Sequence, residues 1–314
     1  MELRHLRYFL AVAAAESFTK ASEKLHVSQP SLSIQIRDLE VELGARLLDR
    51  LGRKVLLTQA GELFRDHAQR AIHEMEQATQ LVQEMQGAHR GRLAVGTLAT
   101  VNSYLIAPLV SQFKQKFPGI HLQVHSLPST DIVNGLLANT LDVGICLLPV
   151  PHDGLDTDVL FDERLVLVVP SRYPLSRSRL RMKDLGGLPL ILMPVDYCLR
   201  KMVEAECAEA RVKTQIVLEM TSPEGILQAV AEGAGLTILP ELYVRLRLAR
   251  SGLKIIDLYD PIPHHSVGLA YRAYRHQNIA AREFGNLCRT TMSQLLAHPG
   301  SSRRSSLGLK SSQK

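Results

Sequence analysis

Short helical patterns of apolar residues open the chain. In the stretch that begins "HVSQPSLSIQIRDLE", at residue 26, apolar side chains recur every three or four positions, at Leu32, Ile36, Leu39 and Leu43. Ser28 and Pro30 just before them suit an N-cap and a first helical turn. A shorter helical pattern over residues 18–25 precedes this stretch. The spacing predicts two helices joined by a tight turn.

The face of the second helix that lies opposite its apolar stripe is polar. Burial of the stripe places Gln29 or Pro30, Ser33 and Arg37 on the outer side, about one turn apart. Such a helix suits the major groove of DNA, where Gln pairs with adenine, Ser with base edges or phosphates, and Arg with guanine or phosphate. The alternative is an ordinary solvated amphipathic helix. The next segment, "DRLGRKVLLT", favours DNA, because Arg50, Arg53 and Lys54 surround a turn at Gly52 that can act as a basic wing.

One long helical pattern follows. Thr58 is the expected N-cap, and the pattern continues to about residue 86, where "GAHRG" interrupts it. Apolar residues along it alternate steps of four and three, at Phe64, Ala68, Ala71, Met75, Ala78, Val82 and Met85. This heptad seam predicts that the helix pairs with the same helix of a second copy. Packing against its own chain is the alternative.

From residue 92 onward, buried-strand patterns alternate with amphipathic helices. The strand segments are "RLAVGTL", "IHLQVHS", "DVGICLL", "RLVLVV", "LPLILM", "TQIVLEM", "LTILP", "LKIID" and "SVGLAYR". The predicted helices cover about 103–117, 199–210 and 277–296, with two more from residues 131 and 223. This alternation predicts a parallel α/β sheet with ligands at the carboxyl ends of its strands. A late return of the chain to the first lobe predicts two lobes with a cleft between them.

Hydroxyl and amide side chains follow several of these strands. They are Thr97, Thr100, Val101 and Asn102 after the first strand, Ser129 and Thr130 after the second, and Thr221 in the second lobe. Free backbone N–H groups at the helix starts favour an anion or carboxylate. The alternative is that some of these residues are merely N-caps. We expect a small polar or anionic metabolite to bind there.

Charge and composition change this picture little. The 314 residues carry a net charge of +6, but Arg303, Arg304, Lys310 and Lys314 contribute four of these charges from a Ser-rich end that we expect to be disordered. A DNA argument therefore rests on the placement of charge. No uncharged apolar run approaches the roughly 20 residues of a membrane helix. The N-terminal apolar stretch fits an amphipathic helix better than a signal peptide, so we expect a cytoplasmic protein.

An enzyme and a secreted solute-binding protein are the rival classes. No glycine-rich phosphate loop is present, and "EGAGLTILP" is better explained as a helix end that leads into a strand. The twelve His and four Cys show no metal-ligand spacing, and we interpret His264–His265 as part of the return between lobes. A solute-binding protein would need a signal peptide and would have no use for a DNA-reading unit. We expect no catalytic site, metal or cofactor.

The long signature "FTKASEKLHVSQPSLSIQIRDLEVELGARLLDR" followed by "GRKVLLTQAGE" resembles the LysR-type transcriptional regulators, as does the domain order over nearly the whole chain. The resemblance implies an α/β protein with a winged helix-turn-helix at 1–58, a linker helix at 59–88 that pairs two subunits, and a two-lobed effector domain like that of periplasmic binding proteins. Lobe 1 would comprise 92–162 and 266–297, and lobe 2 would comprise 163–265. The tail at 299–314 falls outside the resemblance.

The same resemblance implies the partners. These are double-stranded promoter DNA, a small-molecule effector and further copies of the chain, as a dimer and as a dimer of dimers, with RNA polymerase as a candidate. The residues expected at the DNA, by position or by charge, are Ser28, Gln29, Pro30, Ser31, Ser33, Arg37, Arg50, Arg53 and Lys54.

Two cysteines carry the alternative function. Cys198 in "CLR" and Cys207 nine residues later are similar to the pair that forms a regulatory disulfide in peroxide-sensing members of the family. The chain has Tyr197 and Lys201 where those members have histidine and aspartate. A helix between the two cysteines would hold them too far apart to bond unless it unwound. We expect Cys198 to line a metabolite pocket and Cys207 to pack in the helix, with the thiol switch as the alternative.

Overall fold

A computed structural model of the chain describes residues 1–51, 54–85, 90–175, 177–248, 252–273 and 278–297. Its N-terminal part consists of three helices and a β-hairpin. They are α1 (Leu3–Ala15), α2 (Phe18–Leu25), α3 (Gln29–Leu43), β1 (Leu48–Leu51) and β2 (Lys54–Leu57). The helix-turn-helix is therefore present at the predicted positions, and the basic stretch after it is a hairpin. The tail predicted at 299–314 lies outside the described residues.

Capping and apolar spacing explain α3. The Oγ of Ser28 accepts a hydrogen bond from the N–H of Ser31 at 3.3 Å, and the helix ends at Gly44 with a φ of 66°. The buried residues of the three helices form one core, which contains Leu6, Phe9, Val12, Phe18, Ala21, Leu32, Ile36 and Leu39. Leu43 differs from the prediction and is 37% exposed, because α3 ends at this residue and the chain turns away toward β1.

The hairpin is fastened to the helices by hydrogen bonds. The carboxylate of Glu40 in α3 accepts from the N–H groups of Leu47 at 2.8 Å and Leu48 at 3.1 Å. The N–H of Val55 in β2 donates to the carbonyl of Glu16 at 3.0 Å. The hairpin is therefore held to α3 by a side-chain carboxylate and to the end of α1 by a backbone hydrogen bond.

The linker helix α4 (Gln59–Met85) begins as predicted, because the Oγ1 of Thr58 accepts from the N–H of Gly61 at 3.0 Å. The predicted heptad seam divides into two parts. Near the start of α4, Ala68 is buried in the N-terminal core and the Phe64 ring meets the Phe9 ring edge-on at 5.3 Å. Farther along, Ala71 and Ala78 are exposed, as are Met75 (49%) and Val82 (56%). The first half of the seam therefore packs within its own chain, and the side chain of Met85 lies outside the described set.

A partly buried group of polar side chains, the polar junction, joins α4 to the second part of the chain. It consists of His73 and Gln77 in α4 with Arg92 and Asp142. The Asp142 carboxylate accepts from the Gln77 side chain at 2.5 Å and from the N–H of Ala94 at 2.7 Å, and it lies 3.3 Å from His73 Nε2. Arg92 lies 2.9 Å from His73 Nδ1. These contacts attach the linker helix to lobe 1.

Strands and helices alternate through the rest of the chain, as expected. The strands are β3 (Gly91–Thr97), β4 (Ile120–Ser126), β5 (Val143–Leu148), β6 (Leu155–Pro170), β7 (Arg179–Arg181), β8 (Pro189–Leu192), β9 (Gln215–Glu219), β10 (Thr237–Pro240), β11 (Leu253–Tyr259) and β12 (His264–Arg272). The helices are α5 (Ala99–Val101), which continues through a π-helical turn at Asn102–Ile106 into α6 (Ala107–Lys116), then α7 (Ser129–Leu137), α8 (Cys198–Glu209), α9 (Pro223–Ala231), α10 (Glu241–Arg245) and α11 (Ile279–Ala297).

The sheet is mixed, which corrects the prediction of a parallel sheet. Strand order is β4-β3-β5-β12-β6-β11-β7, with β10 also paired to β6. β3 pairs in parallel with β4 and β5, whereas β12 runs antiparallel to both β5 and β6. The reason is that β6 carries the chain out of lobe 1 and β12 brings it back. A short parallel pair, β8 and β9, completes lobe 2.

The hydrophobic core is continuous from lobe 1 into lobe 2. One large cluster includes Leu105 and Phe113 on one side and Ile191 and Leu239 on the other. Separate smaller clusters fill the outer faces of the two lobes. In the part of the chain that the structure describes, no helix is long and apolar enough to cross a membrane.

Candidate functional site

The outer face of α3 presents the predicted polar side chains. Gln29, Pro30, Ser31 and Arg37 are exposed, and Ser33 is half-buried. The N-cap residue Ser28 is exposed as well. Lys54 is exposed at the start of β2, whereas Arg53 and the side chain of Arg50 lie outside the described part of the chain. The structure thus exposes a polar face on the second helix of the helix-turn-helix, beside a hairpin fixed by hydrogen bonds.

The second candidate site is a cavity of about 420 Å³ between the lobes. Predicted residues that line it are Thr100, Asn102, Ser129, Cys198 and Thr221. They come from the carboxyl ends of strands in both lobes, as the sheet topology requires. The hydroxyl of Ser129 accepts from the N–H of Leu147 at 3.2 Å, so this side chain is held in place.

Three of the predicted residues are not among those that line the cavity. Thr97 and Val101 are buried, and Thr130 is exposed elsewhere. Thr97 is the last residue of β3 and is buried in the sheet. Val101 and Thr130 lie in helices, where the side chains of neighbouring residues point about 100° apart. Sequence reasoning missed several lining residues, among them Tyr197, Pro240 and His265.

Three helix N-termini meet at this cavity. The first residues of α7, α8 and α9 or their N-caps, Ser129, Cys198 and Ser222, all line it. Ser222 caps its own helix by accepting from the N–H of Gly225 at 3.1 Å. In the described chain, neither α7 nor α8 has a side-chain cap, so their first N–H groups remain able to bind a ligand. The partial positive charge of helix N-termini favours an anion.

The two cysteines of the alternative function differ in environment. Cys198 begins α8 and lines the cavity, whereas Cys207 is buried in the core of lobe 2. Burial raises the pKa of the Cys207 thiol to about 11, so this thiol is protonated at neutral pH. Nine residues of intact α8 separate the two Cα atoms by about 13 Å at the helical rise, well beyond the roughly 7 Å limit for a disulfide. The described thiols are all free.

A buried acid–imidazole pair lies where the chain crosses between lobes. Glu163 in β6 is opposite His265 in β12, with 3.7 Å between Glu163 Oε2 and His265 Nε2. Glu163 Oε1 accepts from the N–H of Leu242 at 2.9 Å, and the Tyr104 hydroxyl lies 3.5 Å from Oε2. Burial raises the pKa of Glu163 to about 7 and lowers the pKa of His265 to about 4. The spacing of the sequence carries no signal for this pair, because the two residues are about a hundred positions apart.

No cluster of three or more His, Cys, Asp or Glu side chains able to hold a metal occurs among the described residues. Of the two candidate sites, one presents polar side chains outward, and the other is a cavity between the lobes.

Comparison with known proteins identifies the family. The model of the bacterial regulatory helix-turn-helix protein of the lysR family matches residues 3–62, and that of the LysR substrate binding domain matches residues 86–293. The DNA-binding transcriptional dual regulator OxyR of Escherichia coli is 34% identical over 273 residues, which are 87% of this chain and 90% of that protein. The HTH-type transcriptional regulator AlsR of Bacillus subtilis is 32% identical over 76% of this chain and 80% of that protein.

Structural comparison agrees. A full-length OxyR variant from Pseudomonas aeruginosa matches with a TM-score of 0.70 and 26% identity, over 93% of this chain and 94% of that one. Both family models and the full-length match extend over the helix-turn-helix and the two-lobed domain together. The chain therefore belongs to the LysR family and is a DNA-binding transcriptional regulator.

Proposed function

We propose that a small polar or anionic metabolite, bound between the lobes, controls transcription through this protein. The observation that carries the proposal is the cavity of about 420 Å³, which is lined from both lobes by hydroxyl groups and by three helix N-termini. A ligand that contacts both lobes favours one relative arrangement of them and shifts that equilibrium by its differential affinity. The proposed units are 1–58 for DNA, 59–88 for the linker, and lobes at 92–162 with 266–297 and at 163–265.

For DNA, we propose that α3 lies in the major groove and the hairpin on the backbone. Gln29, Pro30, Ser33 and Arg37 would face base edges and phosphates, and Arg50, Arg53 and Lys54 would contact phosphates or the minor groove. Ser28 is the N-cap of the helix and Ser31 lies in its first turn, and the Ser28 cap would hold the N-terminus of the helix in position. The support is the exposure of this face and the hydrogen bonds of Glu40 that hold the hairpin to α3.

For assembly, we propose a homodimer through α4, and a dimer of dimers from the family resemblance. Ala71, Met75, Ala78 and Val82 form a seam at steps of four and three that the chain alone leaves exposed. Two DNA-binding units on one dimer engage two half-sites together, which raises affinity above that of a single unit. RNA polymerase stays a candidate partner.

The proposed effector site is tested by calorimetry after a thermal-shift screen of small metabolites. We expect a compound that binds wild type to bind Thr100→Val and Ser129→Ala at least tenfold more weakly, because each loses a hydroxyl that lines the cavity. Thr130→Val is the matched control, since Thr130 is exposed and does not line it. Equal affinity for all four proteins would contradict the site.

A second candidate function is a peroxide switch through Cys198 and Cys207. Two observations favour it: relatives named as hydrogen peroxide-inducible genes activators are 33% identical over 87% of the chain, and Cys198 opens onto the cavity. The peroxide switch requires the twelve-residue helix α8 to unwind. Arg200 in this helix donates hydrogen bonds to Glu204 at 2.7 Å and to Glu219 at 3.0 Å. These contacts oppose unwinding, and so we place the metabolite first.

Mass-spectrometric mapping of thiols after treatment with micromolar peroxide separates the two candidates. The metabolite proposal predicts no Cys198–Cys207 bridge. A bridge formed in good yield would establish the second candidate, and Cys146 and Cys288, which are buried, serve as internal controls for accessibility.

A further inference from the structure

Polar contacts define how the linker helix sits on lobe 1. Residues 86–90 alone connect α4 to β3 along the chain. In the polar junction, the Asp142 carboxylate accepts from the Gln77 side chain of α4 at 2.5 Å and from the N–H of Ala94 in β3 at 2.7 Å. Asp142 itself lies between α7 and β5. One carboxylate therefore joins α4 both to β3 and to the connection between α7 and β5.

Glu74 of α4 contacts lobe 1 at two further points. Its carboxylate accepts from the side-chain amide of Asn139 at 2.6 Å and from the guanidinium of Arg272 at 3.5 Å. Asn139 lies just after α7 and is 2% exposed, and Arg272 is the last residue of β12. Together with the polar junction, these contacts attach α4 to three separate parts of lobe 1. Attachment at several separate points restricts rotation as well as translation of the helix on the lobe.

The attachment to lobe 1 and the seam of the proposed dimer use different faces of α4. His73, Glu74 and Gln77 lie on the face that meets lobe 1. At about 100° per residue, this face is centred about 120° around the helix from the exposed seam. Lobe 1 and a second copy of α4 can therefore contact the same helix at once. In such a dimer, the contacts of α4 with lobe 1 determine where the lobes lie relative to the helix pair.

The core of the polar junction is shielded from water. The side chains of His73 and Asp142 are only 5% and 4% exposed. Loss of the Asp142 charge leaves buried donors poorly paired, which costs more than the loss of an exposed ion pair. The side chain of Glu74, in contrast, is 48% exposed, so water can replace part of its contacts. Asp142 and Glu74 therefore offer two independent ways to loosen α4 from lobe 1.

We propose that these contacts hold α4 and lobe 1 as one rigid unit, and that Asp142 and Glu74 are positioning residues that set the distance between the two helix-turn-helix pairs of a dimer of dimers. This inference rests on the proposed assembly. Because α4 is used within each dimer, the lobes remain to join the two dimers. A rigid attachment keeps the second helix-turn-helix pair near its site and raises its effective concentration there, whereas a loose attachment lowers it. Neither residue contacts DNA.

Two labelled duplexes from the upstream DNA test the inference with the full-length protein: a long one that spans the whole footprint and a short one that spans half of it. Anisotropy gives the affinity for each. We expect wild type to bind the long duplex more tightly, and Asp142→Asn and Glu74→Ala to lose about tenfold of this gain while they bind the short duplex as wild type does. Asp158→Asn is the matched control, because Asp158 binds Arg289 at 2.8 Å within lobe 1. A merely structural role would lower stability in urea without changing the ratio of the two affinities.

Three outcomes would overturn the inference alone: the wild-type gain is kept in both variants, both duplexes are weakened equally, or Asp158→Asn loses as much of the gain. If Asp142→Asn does not fold, Glu74→Ala decides, since its side chain is half exposed. Wild-type protein that binds the long duplex no more tightly than the short one overturns the proposed dimer of dimers and this inference with it. Wild-type protein that binds neither duplex overturns the proposed mode of DNA binding as well.

Discussion

Replacement of Gly61 by alanine tests whether the linker helix holds the hairpin in place. Gly61 is the third residue of α4, and an added Cβ would lie 2.0 Å from the carbonyl oxygen of Leu47 and 3.0 Å from Leu57 Cδ2. The first of these neighbours is backbone and cannot rotate away. That same carbonyl accepts the N–H of Thr58 at 3.0 Å, so its displacement would also strain the start of α4.

The expected cost follows from three terms. Forced overpacking costs about 1–3 kcal/mol, and a weakened hydrogen bond costs about 1 kcal/mol. Against these, alanine is about 1 kcal/mol more favourable than glycine within a helix. We expect Gly61→Ala to lower the free energy of unfolding by about 1–3 kcal/mol on these terms. We also expect weaker DNA binding, because the hairpin shifts relative to α3.

Gly225→Ala is the matched control. Gly225 is also the third residue of its helix, and its N–H also donates to an N-cap hydroxyl, that of Ser222. Its added Cβ would meet the flexible end of Met220 at 2.9 Å, which can move. The chain has no tryptophan, so urea unfolding is followed by circular dichroism, and DNA binding by the anisotropy of a labelled duplex. If Gly61→Ala is as stable as wild type and Gly225→Ala, the proposed close contact is wrong.

Three further substitutions have expected outcomes. If Arg37 binds phosphate, Arg37→Ala should weaken DNA binding and reduce the slope of log affinity against log salt concentration by about one. Lys213→Ala, at an exposed lysine, is the control and should change neither quantity. Anisotropy of a labelled duplex over a salt series measures the affinity and the slope. Asp142→Ala should lower the free energy of unfolding in urea by about 3 kcal/mol, since it leaves buried donors of the polar junction unpaired. The raised pKa of Glu163 means that the folded state holds a proton that the unfolded state has lost. The contribution of Glu163 to the free energy of unfolding is therefore present at low pH and falls as pH rises toward about 7. The lowered pKa of His265 has the opposite effect, since its contribution grows between about pH 4 and 6.5 and offsets that of Glu163 there. Urea unfolding over a pH series should therefore show a decline from about pH 6.5 to about 7 in wild type that Glu163→Gln abolishes.

Local patterns predicted the elements that local forces determine. The caps at Ser28 and Thr58 are in place because a hydroxyl three residues before a free N–H is a short-range interaction. The burial of Leu32, Ile36 and Leu39 follows from helical spacing in the same way. The exposed face of α3 could therefore be read directly from the sequence.

Features that depend on distant segments were missed or only half predicted. The division of the α4 seam depends on the Phe9 ring, which lies far away in sequence but contacts Phe64. The antiparallel pairing of β12 with β5 and β6 depends on where the chain returns to lobe 1, and the spacing of apolar residues does not encode that position. The pairing of Glu163 with His265 is a matter of strand register, and for that reason His265 was interpreted only as part of a crossing.

The measurement that most directly separates regulation by a metabolite from a thiol switch is a DNase footprint of the full-length protein on its own upstream DNA, with and without micromolar peroxide, for wild type and Cys198→Ser. The account predicts protection at two half-sites that is the same in all four conditions, because Cys207 is buried and α8 stays helical. A footprint that peroxide shifts in wild type but not in Cys198→Ser would contradict the account and establish the thiol switch, and the absence of any footprint would contradict the proposed mode of DNA binding.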